Sequence, residues 1–193
     1  MSSIQNYYNG GVFMFDKQYR FTGSHAQKVS ELTSVFDERA KATLFHYNYD
    51  VYINAPLIGF LYNRKSEKNN LKSSDMEVPP QNIFAEQMIN NSEQLKYILR
   101  LILILDTQYE PVLEKRLDKA FRNLGKDDND LALFDSYVLG GVDVLYEKLI
   151  EGASNSDDYI NNMYDFIEEF NERFNEEITN ESILELCRES NNM

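Results

Sequence analysis

Two adjacent glycines stand in the middle of a helical repeat. The stretch from Phe134 to Leu149 reads FDSYVLGGVDVLYEKL. Its apolar residues Phe134, Tyr137, Val138, Val144, Leu145 and Leu149 recur at helical spacing around Gly140 and Gly141. Two interior glycines cost a helix about 2 kcal/mol relative to alanine. Such a pair suits a place where another backbone, or a ligand, must come closer than a Cβ permits. Neither this pair nor Gly10-Gly11 has the flanking pattern of a phosphate-cradling loop. The expectation is therefore packing. The partner is the segment Asn48–Asn63, NYDVYINAPLIGFLYN, where Gly59 interrupts a run of large residues. It is long enough for a buried helix kinked at Pro56, with a strand as the alternative on its β-branched residues. Helices over 48–63 and 130–151 are expected to cross closely at Gly59, Gly140 and Gly141.

The rest of the chain reads as further helices. Ser24 can cap a helix over about 25–35, and a second short helix fits 36–46. Pro80 suits the first turn of a helix over 81–90. Ser92 is expected to cap a helix over 93–106 whose centre, YILRLILIL, is apolar nearly all round and is expected inside the domain. Glu110-Pro111 opens a helix to about Asn123, with Val112, Leu113, Leu117, Ala120 and Phe121 expected inward and Gly125 as its stop. Asp127, Asp128 and Asn129 are candidate caps for the glycine-pair helix. A helix over 157–177 is amphipathic, and Thr179-Asn180-Glu181 starts a last one. The fold class is mainly α: a single domain over 1–193 with seven to nine helices. Residues 1–22 form an N-terminal arm or short strand, 64–80 an exposed basic loop, and 153–193 acidic C-terminal helices.

Composition narrows the function classes. The net charge is −13, and twelve acids against two bases fall in residues 151–193. Direct nonspecific nucleic-acid binding is expected to be weak or absent there. In the amphipathic helix, Asp158, Asp165, Glu169, Glu172 and Glu176 lie opposite the stripe of Tyr159, Ile160, Met163, Phe166, Ile167, Phe170 and Phe174. That acidic row is a solvated face or, more sharply, a surface that imitates a phosphate backbone and engages a basic partner. Arg64, Lys65, Lys68 and Lys72 are the one local concentration of positive charge, a candidate phosphate or partner contact. His25 and His46 have no partner at metal-ligand spacing and read as cap-region or surface histidines. The lone Cys187 excludes an internal disulfide. No nucleophile motif, cofactor fingerprint, signal-peptide pattern or membrane-length apolar run is found, so a cytoplasmic protein without cofactor or metal is expected. Tyrosines cluster in the N-terminal third, a candidate partner or homodimer surface.

Two segments together carry a resemblance. DVYINAPLIGFLYNRKSEK (Asp50–Lys68) is a small-residue helix running directly into bases. LFDSYVLGGVDVLYEKL (Leu133–Leu149) holds an F-x-x-Y-x-x-G-G core, and an apolar helix ending in Leu105-Asp106 lies between them. This order resembles the small accessory proteins encoded with DNA phosphorothioation (Dnd) gene clusters, over roughly residues 48–165. The resemblance implies a non-enzymatic component of a bacterial DNA-modification or phage-defence system. Its partners would be proteins of the neighbouring gene set, and no catalytic residues carry over.

Overall fold

A computed structural model describes residues 14–68 and 78–174. Seven α-helices and four short strands fall within them. The chain groups into two compact units, Met1–Glu151 and Gly152–Met193.

The first unit is built on helices α2 (Asn48–Leu61) and α6 (Asp128–Leu149). They cross backbone to backbone. A Cβ built on Gly59 would fall on the Tyr137 carbonyl oxygen and lie 2.9 Å from the Gly141 nitrogen. One on Gly141 would fall on the Ala55 carbonyl, and one on Gly140 on the carbonyl of Arg64. The glycines thus supply the approach that the sequence pattern required. Pro56 sits buried inside α2, which is a helix and not the alternative strand. Around the crossing, Val51, Ala55, Leu99, Ile102, Val138 and Val142 are fully buried. Asp127 caps α6, its carboxylate accepting from the Asn129 N–H at 2.9 Å.

One expected helix is replaced by strands, and another is shortened by one. Residues 36–46 form a hairpin of β2 (Val35–Asp37) and β3 (Ala42–Thr43). The local chemistry explains it: the Asp37 carboxylate accepts from the Arg39 and Ala40 N–H groups, and Lys41 takes a left-handed φ of 53°. Helix α1 accordingly runs Gly23–Leu32, with Thr22 rather than Ser24 at its N-cap. The helix expected over 81–90 begins later, as α3 (Ala85–Asn90). Before it, β4 (Gln81–Ile83) pairs antiparallel with β1 (Tyr19–Phe21), Tyr19 facing Ile83. Asn82 fastens the ribbon by accepting from Gln18 and Arg20 side chains at 2.9 and 3.0 Å. Pro80 therefore precedes a strand, where its missing N–H also costs nothing.

Helix α4 (Ser92–Leu105) begins after the N-cap Asn91, not Ser92. It is not enclosed. Leu95, Ile98, Leu99, Ile102 and Leu103 are buried, whereas Tyr97 and Leu105 are exposed. The helix expected over 110–123 is a short α5 (Leu113–Leu117) that loosens into a π-turn over Asp118–Arg122. Gly125 ends the segment at a φ of +73°.

In the second unit, α7 (Ser156–Phe174) starts where the Asn155 side chain accepts from the N–H groups of Asp157 and Asp158. None of its residues is buried. The N-terminal residues through Val12-Phe13, Lys72, Glu176, the last expected helix and Cys187 lie outside the described residues.

Helix propensity alone says that Gly141→Ala should stabilise α6 by about 1 kcal/mol. The crossing predicts the reverse, a loss of about 1–3 kcal/mol from overpacking against the Ala55 carbonyl. Urea unfolding of the two proteins gives the sign directly.

Candidate functional site

The chain reverses sharply after α4, and the reversal leaves backbone oxygens inside. Arg116 meets them. Its Nε donates to the Ile104 carbonyl at 2.8 Å, and one terminal nitrogen to the carbonyls of Glu110 and Pro111 at 2.9 and 2.8 Å. Asp106 fixes the other side of the turn. One carboxylate oxygen accepts from the Gln108 and Tyr109 N–H groups, and the other from the Tyr137 hydroxyl at 2.7 Å and Lys65 at 3.3 Å. Burial pushes the Asp106 carboxyl up, but these donors outweigh it and hold it below the ordinary carboxylate range.

With Arg116 inside at 9% exposure, the apolar side chains of α5 face out. Leu113 is 44% exposed, Leu117 40% and Phe121 65%, and Val112 is exposed as well. Of the five residues expected inward, Ala120 alone is buried. Leu113 and Leu117 share a face by their i, i+4 spacing, and Phe121 continues it along the π-turn. Leu105, the last residue of α4, is exposed as well, and the Arg116 bond to Ile104 ties that end of α4 to α5. The result is an outward strip of apolar side chains on α5 and the π-turn.

A polar cleft of 530 Å³ opens at the π-turn, with Glu114, Lys115, Asp118 and Arg122 among its lining residues. Lys119 reaches Asp127 and the fully buried Asp130, both at 2.7 Å, and the Tyr109 hydroxyl donates to Asp130 at 2.6 Å. Burial pulls the Lys119 ammonium down, but the two carboxylates outweigh it and hold it above the usual lysine value. Burial, with Asp130 second, pushes Tyr109 up to about 12. Both keep their protons at neutral pH, so the cleft is a fixed ion-pair lattice that braces the strip. π-turns recur at functional positions, but nothing in the one-dimensional pattern separates this one from a regular helix.

The sequence-predicted basic cluster has a different fate. Residues 64–68 run antiparallel along α6. Arg64 pairs with Glu147 at 3.0 Å, Lys65 with Asp106, and Lys68 with Asp135 at 3.4 Å. The Ser66 N–H donates to the Ser136 carbonyl, and its hydroxyl to Asp143 at 2.5 Å. These bases balance the protein's own carboxylates instead of forming a free loop. His25 is also corrected: it is 2% exposed, with Nε2 3.3 Å from Asp143, where Lys28 joins at 2.6 Å. His46 is exposed, as expected, and bonds to Thr43. On α7, Asp165 and Glu172 are exposed, while Asp158 and Glu169 are half-buried. Asp158 is occupied in part by the N–H groups of Ser154 and Asn155. Among the described residues no cluster of His, Cys, Asp and Glu is placed to hold a metal ion, and no helix is long and apolar enough to cross a membrane. Comparison with protein-family models, curated proteins and solved structures gives no match.

Asp143 tests the seam between α1, residues 64–68 and α6. Burial raises its pKa, but His25, Lys28 and Ser66 outweigh this and hold it well below the ordinary value. A carboxyl depressed in the fold stabilises it above the unfolded value, and that contribution is lost as pH falls through the folded one. Asp143→Asn should therefore be less stable than the parent near neutral pH. The gap between them should narrow steadily below about pH 4, the unfolded aspartate range. Urea midpoints across a pH series measure it; a gap independent of pH would assign the loss to packing alone.

Proposed function

We propose that this protein is a non-enzymatic interaction subunit that docks a protein partner on the outward strip of Leu105, Leu113, Leu117 and Phe121. One observation carries the reading: α5 buries an arginine and exposes its leucines, the reverse of what a solvent-facing helix does. Contiguous exposed apolar surface with a charged rim is the usual mark of a protein contact. The strip is braced by the Lys119–Asp130 lattice and by Arg116, so its shape is set before a partner arrives. Preorganised anchors of this kind lose little entropy on binding.

The setting we propose is a bacterial DNA-modification or phage-defence gene set, acting in the cytoplasm. Its support is the resemblance of Asp50–Lys68 and Leu133–Leu149 to Dnd accessory proteins. Within that setting the contact with DNA would be made by the partner. Supporting this are the net charge of −13 and the engagement of Arg64, Lys65 and Lys68 by acids of the same chain. A second reading, an acidic inhibitor that imitates DNA, draws on the exposed Asp165 and Glu172 of α7.

The two readings place the contact on different surfaces. The double variant Leu117→Glu/Phe121→Glu should keep the parent's melting temperature, since both side chains are already exposed. It should lose capture of the products of adjacent genes by about tenfold or more, the loss expected of ~1.4 kcal/mol at a contact anchor. Asp165→Asn/Glu172→Gln should leave capture unchanged. The opposite pattern, with capture abolished by salt and by the second pair, selects the mimic.

A further inference from the structure

A second cavity, away from the α5 strip, has a different character. It measures 410 Å³ and opens between residues 14–19, α2 and α6. Aromatic rings form its walls in an unbroken series. Tyr19 lies 4.5 Å from Tyr52, Tyr52 6.4 Å from Phe134, and Phe134 5.3 Å from Phe15, centroid to centroid. Phe15 holds its place at a left-handed φ of 58°, a conformation that costs a bulky residue energy and that only the surrounding packing sustains.

Two polar groups converge on this apolar space. The Tyr19 hydroxyl is buried and has no hydrogen-bond partner, an uncommon state for a buried donor. Asp135 lines the same cavity half-buried. Asp16 and Lys17 also line it and cancel in charge, so Asp135 sets its sign. An aromatic enclosure with one carboxylate is the environment that attracts organic cations, through ring quadrupole and counter-charge together. The chain itself supplies an example. The Lys68 ammonium stands 5.1 Å from the centroid of the Tyr19 ring and 3.4 Å from Asp135. Its side chain is 53% exposed, an arrangement in which an ion pair holds only weakly.

We propose that this cavity binds an organic ammonium ion bearing an apolar body, which takes the place of Lys68 over Tyr19 and pairs with Asp135. The rings would cover the apolar body. A free quaternary amine and the methylated lysine of another protein share this chemistry. The inference does not rest on the partner strip, which involves other residues.

Calorimetric titration of the full chain tests it with choline and with a short trimethyllysine peptide. Each is paired with its uncharged isostere, 3,3-dimethyl-1-butanol for choline and the tert-butyl analogue for the peptide. The cations should bind about 3- to 30-fold more tightly than their isosteres, the range that ring–cation attraction supplies. Lys68→Ala should strengthen cation binding severalfold by clearing the slot, and Asp135→Asn and Tyr19→Leu should each abolish the preference. Choline binding assigns a small-molecule source, and binding of the peptide alone assigns a partner's side chain; both support the site. Equal affinity for cation and isostere, or no cation binding to Lys68→Ala at millimolar ligand, overturns it. The Lys68→Ala comparison decides even if Asp135→Asn or Tyr19→Leu fails to fold, because Lys68 is a surface residue.

Discussion

Everything in the first unit is placed by the distance between α2 and α6. At Gly59 and Gly141 the two backbones meet with no side chain between them. That approach brings Val51 and Ala55 of one helix into the same buried layer as Val138 and Val142 of the other. Full burial of each valine contributes about 1.5–3 kcal/mol, so these few residues offset the roughly 2 kcal/mol that two glycines cost a helix. Gly140 extends the effect beyond the helix pair. Because it lacks a Cβ, the chain leaving α2 can lie flat on α6 at Arg64. Arg64, Lys65, Ser66 and Lys68 then fall in register with Glu147, Asp106, Asp143 and Asp135. A charged segment that reads as solvent-exposed becomes a stave along the central helix.

The α5 strip follows from a second constraint, the need to satisfy backbone oxygens. Ile104, Glu110 and Pro111 present carbonyls to the interior of the turn, and a buried carbonyl left without a donor costs about 1–3 kcal/mol. Arginine alone among side chains brings five donors in a rigid fork, and Arg116 satisfies all three. With that position inward, Leu113 and Leu117 are nevertheless left exposed. The same turn thus closes the fold and carries the exposed surface.

These two constraints mark where sequence reasoning succeeds and where it stops. The crossing is legible because it is a local anomaly, glycine where helix propensity asks for anything else, appearing in both partner segments. Cap and stop positions at Asp127 and Gly125 are legible for the same reason. The orientation of α5 is not. Its apolar spacing at 113, 117 and 121 is that of an inward face, and only the long-range geometry of the preceding reversal reveals that Arg116 has the stronger demand for the interior. The hairpin over 35–43 was hidden by its shortness, since the Asx turn at Asp37 competes with helix over too few residues to set a period. The basic cluster misleads because its counter-charges lie 41 to 83 residues away, and charge pairing leaves no trace in spacing.

The stave on α6 also grades from its centre to its ends. In the middle, Lys65 meets an Asp106 whose side chain is 4% exposed, and Ser66 meets an Asp143 at 11%. These contacts are screened from water and hold the segment to the helix. At the ends, Arg64–Glu147 and Lys68–Asp135 join side chains that are each more than a third exposed. Exposed pairs of this kind contribute about 0–1 kcal/mol, so either can open while the centre stays closed. Only one end opens onto anything. Arg64 faces solvent, whereas Lys68 covers the Tyr19 ring beside the aromatic cavity. The fold therefore places an easily broken charge pair beside an aromatic cavity. A cation entering there meets a counter-charge whose release leaves the glycine crossing and the buried seam intact.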